Sequence, residues 1–243
     1  MKVFDMIVDE RRRVADVLAD LTAEQFQRRS LCAKWTVHDV AAHLITYLRF
    51  GQAKLYIGIV ATAADFDRIN VWLTRREARR PSQEIVEVLR RRARSGVTIP
   101  RSGFDPVLAD LLLHDLDIRV PLGIPRATPE ERLWVAFHHL TARPSPGFTM
   151  GSRLTGLRVT ATDTGWTHGD GAPVRGRAEA LLLAIGGRAV AFDELAGDGV
   201  PLLRARVTTP PPKAGPLRRL TVPLGVLLNP APPERRSREA TPA

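Results

Sequence analysis

The sequence predicts a helical bundle followed by a smaller α+β domain, an α + α/β chain, and three features predict it. Apolar residues recur at helical spacing from Val3 through the first half of the chain. Helix-start signals punctuate that half, at Thr22, Thr36, Asp105-Pro106 and Thr128-Pro129. Beyond Pro144 the pattern turns to a short β-prone run, clustered glycines and one compact apolar helix.

Each element has its own reason. Val3, Ile7, Val14, Leu18 and Leu21 form one apolar stripe, with Arg11 to Arg13 and Asp16 on the other faces. Thr22-Ala-Glu-Gln25 has the capping-box form and starts a short helical turn. Thr36-Val-His-Asp39 marks the start of a long helix from Val37 to Ile59, with Asp where the box prefers Glu or Gln. A third helix covers Asp65 to Arg79 and stops before Pro81. Ser82 is the expected N-cap of a fourth, with Ile85, Val88 and Leu89 inward, ended by Gly96. Asp105-Pro106 opens a helix to Val120 that Pro121-Leu-Gly123 terminates. Thr128-Pro-Glu-Glu131 opens one more.

In the second half Arg158 to Ala161 reads as a strand, and Gly165, Gly169, Gly171 and Pro173 supply turn chemistry. Ala178 to Ile185 reads as a helix closed by Gly186-Gly187, and Val200 to Val207 as a strand. A proline-rich stretch from Thr208 to Pro216 follows, then a further element at Leu217 to Leu228. The expected domains are therefore 1–145, the bundle; 146–228, the α+β domain; and 229–243, a disordered tail.

Composition narrows the function. The chain has 243 residues, 44% apolar and 26% charged, as soluble globular domains do. No run reaches the ~18 apolar residues that a membrane span needs. Met1 to Glu10 lacks a basic segment followed by an apolar one, so no secretory leader is expected. Cys32 is the only cysteine, which excludes an internal disulfide and suits a cytoplasmic location. The formal charge is +10 and almost all arginine, since Lys2, Lys34, Lys54 and Lys213 are the only lysines. A basic surface attracts polyanions. However, no aromatic interleaving and no helix-turn-helix or zinc-finger pattern accompanies it. The clusters at Arg11–Arg13, Arg75–Arg80, Arg90–Arg94 and Arg235–Arg238 read as solvated faces.

The histidines carry the chemical signal. His43 lies among Val40, Leu44 and Tyr47 on an apolar helix face. Asp110, His114 and Asp117 fall within about 60° of one another on another helix, at 100° per residue. Two potential ligands at i and i+4, with an imidazole on a neighbouring helix, is how bundles build core metal sites. Imidazole and carboxylate suit zinc or another divalent transition metal. The same residues also fit a plainer reading: hydrogen-bonded core histidines, Asp110 at the helix dipole, and Asp117 with Arg119 as a local ion pair. His138-His139 reads as structural, His168 as an exposed turn residue, and Cys32 as a buried, unreactive one.

Several strings in order resemble one family. Trp35-Thr-Val-His-Asp39-Val-Ala-Ala-His43-Leu44 resembles the W-t-v-x-D-v-x-x-H-L stretch of the DinB-like, mycothiol-dependent maleylpyruvate isomerase superfamily. His114-Asp-Leu-Asp117-Ile-Arg119-Val-Pro121-Leu-Gly123 resembles its H-x-x-D-I-R-x-P-L-G segment. Ala161-Thr-Asp163-Thr-Gly165-Trp166, Gly169-Asp-Gly171, Gly176, Gly187-Arg188 and Leu195-Ala-Gly197-Asp-Gly199 are similar to its sterol-carrier-like C-terminal domain. The likeness runs from about Val3 to Leu203.

The resemblance implies a DinB-like metal-binding four-helix bundle and a sterol-carrier-like α+β domain. It implies three metal ligands, His43, Asp110 and His114, with zinc the expected ion. Relatives carry Glu at the carboxylate position, so Asp110 is one methylene shorter. It implies mycothiol or a similar thiol as cosubstrate, and a small electrophilic, carboxylate-bearing substrate. In an isomerase the thiolate adds to an activated double bond, permits rotation and leaves; in a transferase it displaces a leaving group and stays. The isomerase also uses a C-terminal-domain arginine, for which Arg175, Arg177 and Arg188 stay open; no catalytic or cosubstrate-binding residue is assigned. Rival readings are a non-catalytic small-molecule or lipid-binding module and, with less support, a nucleic-acid-associated protein. A monomer or a homodimer fits equally.

Overall fold

A computed structural model of the chain describes residues 2–32, 35–61, 66–98, 103–126, 128–142 and 151–208, with backbone only over 50–61, 66–69, 151–152 and 208. Among the described residues, seven helices make up the first part: α1 (Val3–Ala19), α2 (Ala23–Gln27), α3 (Val37–Ala61), α4 (Phe66–Glu77), α5 (Ser82–Arg91), α6 (Asp105–Leu122) and α7 (Glu130–Thr141). α1 packs on α5 and α6, and α3 packs on the same two, which closes a four-helix ring. α4 leans on α3, and α7 on α6.

Local chemistry sets several of these boundaries. At Thr22 the reciprocal capping box is complete: Gln25 N donates to Thr22 Oγ1 at 3.2 Å, and Thr22 N to Gln25 Oε1 at 2.8 Å. Asp39 does the same for α3, accepting from Thr36 N at 2.9 Å while its own N–H donates to Thr36 Oγ1 at 3.2 Å. α6 runs past the expected stop, carrying Pro121 in its last turn, and ends at Gly123 with φ +68°. Only a residue free of a Cβ adopts that left-handed angle without strain.

Three expected caps are not used. Asp105, the expected N-cap of α6, lies inside the helix, which is preceded by Phe104 with no side-chain cap. α5 is preceded by Pro81, and Ser82 lies inside the helix, with its hydroxyl 3.1 Å from His38 Nδ1. The helix ends at Arg91, ahead of Gly96. Nor does Thr128 form a box at α7: its backbone N–H donates to Glu179 Oε1 at 2.8 Å, 51 residues away.

The second part holds β1 (Leu157–Ala161), β2 (Thr167–His168), β3 (Ala172–Gly176), α8 (Ala178–Ile185) and α9 (Val200–Thr208). Short 3-10 turns lie at Gly151–Leu154 and Ala189–Glu194. The sheet order is β2-β1-β3, with β1 antiparallel to β2 and parallel to β3. Gly171 lets the chain pass against Gly156, whose carbonyl oxygen lies 2.1 Å from where a Cβ would stand. His168 is not in a turn; it is strand β2, and its ring stacks on Trp166. Val200–Thr208 is a helix and not the expected strand. Leu203 and Val207, one helical turn apart, are both buried, and α9 packs on α8. The anticipated element at Leu217–Leu228, the tail at Asn229–Ala243 and Pro144 lie outside the described residues.

Two apolar cores result. One fills the ring of helices, with Val14, Leu18, Phe26, Val40, Ile45, Ile85, Leu89 and Ile118. The other crosses from bundle to sheet, joining Leu112, Leu116 and Phe137 to Leu157, Val174, Leu182 and Phe192. All eight residues of α8 are buried, so the α+β part has a filled interior. Phe137 is fully buried on α7 and stacks on Trp166 with ring centroids 4.1 Å apart. Phe137→Ala should therefore cost about 3–5 kcal/mol in denaturant unfolding. The loss should be the same by far-ultraviolet circular dichroism and by tryptophan fluorescence; separated transitions would show that the shared core does not couple the two parts.

Candidate metal centre

α3 and α6 are neighbours in the ring, and they bring their polar residues face to face. The box at Thr36 sets the phase of α3, so that Val40, Ala41 and Ile45 enter the core and His43 turns toward α6. On α6, Asp110 and His114 sit one turn apart. His43 Nε2 lies 3.6 Å from Asp110 Oδ2, and His114 Nε2 lies 3.4 Å from Asp110 Oδ1. The two imidazoles meet edge to face, with centroids 4.8 Å apart. The nitrogen and carboxylate atoms of all three lie within 4.8 Å of one another, a grouping able to hold a metal ion. The structure thus brings His43, Asp110 and His114 together.

The other ring nitrogens face away, to separate partners. His114 Nδ1 is 2.8 Å from Asp117 Oδ2, and His43 Nδ1 is 3.3 Å from Thr74 Oγ1. Asp117 is wholly buried and is gripped from the second part of the chain: Arg188 donates to it from Nε at 2.9 Å and from its terminal nitrogen at 2.6 Å. Asp117 therefore does not pair with Arg119, which bonds Asp115 at 2.7 Å. Of the three open arginines, Arg188 alone reaches this cluster. Arg177 meets Asp163 at 3.5 Å, and Arg175 is exposed on β3, where its backbone bridges to Ala196.

Walls and exposure define an open side. The Trp35 ring covers both histidines, at 5.3 Å from His43 and 6.5 Å from His114. Tyr47, one turn beyond His43, presents its ring at 6.3 Å and donates its hydroxyl to Asn70. The histidine side chains are 5% and 7% exposed, while Asp110 retains 27%. Solvent therefore reaches the cluster beside Asp110.

Electrostatics follow from that packing. Burial disfavours a charged His114, yet Asp110 and Asp117 outweigh it and push its pKa up to about 9. Burial likewise disfavours an ionised Asp110, yet His114 and His43 hold its carboxyl well below the usual carboxylate range. Cys32 is half-buried, with its sulfur within reach of His114 and Asp117. Burial first, then Asp117 and Asp110 against Arg188, push its thiol up to about 11. It is a protonated thiol at neutral pH, as a poor nucleophile should be.

Thr74 and Asn70 had no place in the sequence reading, and Arg188 was one of three arginines left open; all three join through tertiary contacts that no local spacing signals. His138 and His139, read as structural, lie on α7 and outside the cluster.

The raised pKa of His114 has a sign that can be checked. Its folded value lies above the ordinary 6.5, so its contribution is complete below that value and disappears as pH rises through about 9. Metal-free protein should lose more stability between about pH 6.5 and about pH 9.5 than its His114→Gln variant does, measured as thermal midpoints. Equal losses would remove the proposed ion pair.

A family description for the mycothiol maleylpyruvate isomerase N-terminal domain matches residues 7–159. No curated protein matches significantly. Among solved structures, that of a mycothiol-dependent maleylpyruvate isomerase is similar over 82% of this chain and 96% of its own, at 13% identity and a TM-score of 0.51. A point mutant of such an isomerase covers the same shares at 14% identity and a TM-score of 0.49. At this identity the first likeness is one of fold. No described helix is long and apolar enough to cross a membrane. The matched segment is more than half of the chain and contains α3, α6 and the whole cluster: this chain belongs to the mycothiol maleylpyruvate isomerase N-terminal domain family.

Proposed function

We propose that this protein is a metal-dependent enzyme that uses mycothiol or a similar low-molecular-weight thiol to isomerise, or to transfer sulfur onto, a small electrophilic substrate. The observation that carries this reading is the convergence of two imidazole Nε2 atoms on one carboxylate, with both Nδ1 atoms held by other partners. Two nitrogens and one carboxylate oxygen are the donor set of a three-ligand zinc site with a position left open. The outer partners are those that ligating histidines usually have.

His43, Asp110 and His114 would hold the ion. When bound, it supplies Lewis acidity that lowers the pKa of a thiol brought to it, so that thiolate is available at neutral pH. Asp117 accepts from His114 Nδ1 and so directs Nε2 into the site. Arg188 keeps Asp117 ionised and fixed. Trp35 and Tyr47 exclude water from the two imidazoles, while the side beside Asp110 admits the thiol and its acceptor. Cys32 takes no nucleophilic part, because the cosubstrate brings its own sulfur.

We take the bundle, 1–145, to supply the ligands and the α+β domain, 146–228, to supply Arg188. A site between two such units is a common place for small molecules to bind.

The test is metal analysis of tag-free protein purified without chelators, followed by turnover of a panel of electrophiles with and without thiol. Wild type should carry stoichiometric metal, zinc being expected, and should turn over only with both metal and thiol. His43→Ala should lose the metal while keeping its helical circular dichroism, because the bundle has an apolar core of its own. Binding of an apolar ligand by protein that takes up no metal would favour a non-catalytic module instead.

A further inference from the structure

A metal-ligating imidazole is aimed by whatever its second nitrogen meets, and the two histidines here differ on that point. Asp117 beside His114 is a buried carboxylate already bonded by Arg188, so it can only accept. It fixes the proton on Nδ1 whatever happens at Nε2. His43 instead faces a hydroxyl, which can accept or donate.

That hydroxyl belongs to a built interface. Thr74 is 1% exposed and lies on α4, one turn after Asn70. Across from them on α3 stand His43 and Tyr47, also one turn apart. The two pairs match rung by rung: Thr74 meets His43, and Asn70 accepts from Tyr47. Arg49 of α3 also reaches back to Glu77, beyond Thr74 on α4, at 3.1 Å. This polar side of α4 therefore includes the hydroxyl that meets a candidate ligand.

We infer that Thr74 is a positioning residue for His43, holding the ring through its hydroxyl so that Nε2 faces Asp110 and His114 in either tautomer. The inference rests on the reading of this cluster as a metal centre. With Nε2 protonated toward Asp110, Thr74 donates to Nδ1. With Nε2 free to ligate, Nδ1 carries the proton and Thr74 accepts it. A hydrocarbon of the same shape would leave Nδ1 without a partner in a buried place and the ring without its brace.

The experiment compares Thr74→Val and Thr74→Ser with wild type, titrating zinc against a chelating indicator and recording the visible spectrum of the cobalt-loaded proteins. Loss of an outer partner of this kind lowers metal affinity about 10–100-fold. Valine should show that loss and an altered cobalt spectrum, while serine, which keeps the hydroxyl, should stay within about threefold of wild type. The metal-free thermal midpoints report whether each variant folds. Should the valine protein fail to fold, Thr74→Ala against Thr74→Ser isolates the hydroxyl in the same assay. Wild-type affinity in the valine variant, or an equal loss in serine, would overturn the role of Thr74 while leaving the metal centre intact. A wild-type protein that binds neither metal would overturn both.

Discussion

Asp117 is a carboxylate without solvent exposure, placed where the bundle meets the rest of the chain. An unpaired charge in such a place costs several kcal/mol, so its position depends on the bonds it makes. Arg188 supplies two of them and His114 the third. Burial raises its pKa, but these partners outweigh burial and hold it below the usual carboxylate range. One residue thereby joins three things: the turn after α8 that carries Arg188, the helix α6, and the orientation of a candidate ligand. Gly186 leaves room for the approach. A Cβ there would come within 2.9 Å of Leu113 and 3.2 Å of the Arg188 guanidinium. A side chain there would make Leu113 and the guanidinium give way by a few tenths of an ångström.

The same logic explains why α6 is buried nearly all round while carrying five charged or titratable residues from Asp110 to Arg119. They are answered in three separate places. His114 and Asp110 face His43 on α3. Asp117 faces Arg188. Asp115 faces away from the site, where Arg119 bonds it at 2.7 Å and Arg13 of α1 stands at 3.4 Å. Beside them Arg132 of α7 bonds the buried Glu10 and the exposed Asp9 of α1. Rotation or sliding of α6 would break several buried pairs at once, each worth more broken than its net contribution when formed. That constraint fixes the register of α6 against α3, and the register determines whether Asp110 and His114 reach His43.

How much was legible depended on the range of the deciding interaction. The capping boxes at Thr22 and Thr36 involve residues three apart, so their pattern alone was sufficient. Asp110 and His114 were legible for a similar reason, because one helical turn puts them on one face. His43 needed a second helix, and its place was readable through resemblance and not through spacing. At Thr128 the same box-like pattern misled, since Glu179 from α8 takes the backbone N–H. In Leu202-Leu-Arg-Ala-Arg-Val207 polar and apolar residues alternate over a window too short to separate strand from helix. Packing of Leu203 and Val207 against α8 decided for helix. Thr74 and Arg188 stand 31 and 71 residues from the groups they serve. Thr74 has no local signature, because a threonine on a helix is an ordinary residue until the fold places it; Arg188 entered through resemblance, which left three arginines open.

Asp110 shows how short reach is accommodated. Its carboxylate spans two imidazoles, one oxygen to each, at 3.4 and 3.6 Å. The resulting balance is electrostatic: His114 favours its protonated form because Asp110 and Asp117 are close, and Asp110 favours its ionised form because two imidazoles are close. A divalent ion would enter the same field by displacing a proton, and its affinity would rise with pH as that proton becomes easier to remove. The ligands therefore need not be gathered by the ion. The apolar ring of helices and the buried pairs along α6 assemble them as the chain folds, which separates this centre from small domains that fold only around their metal.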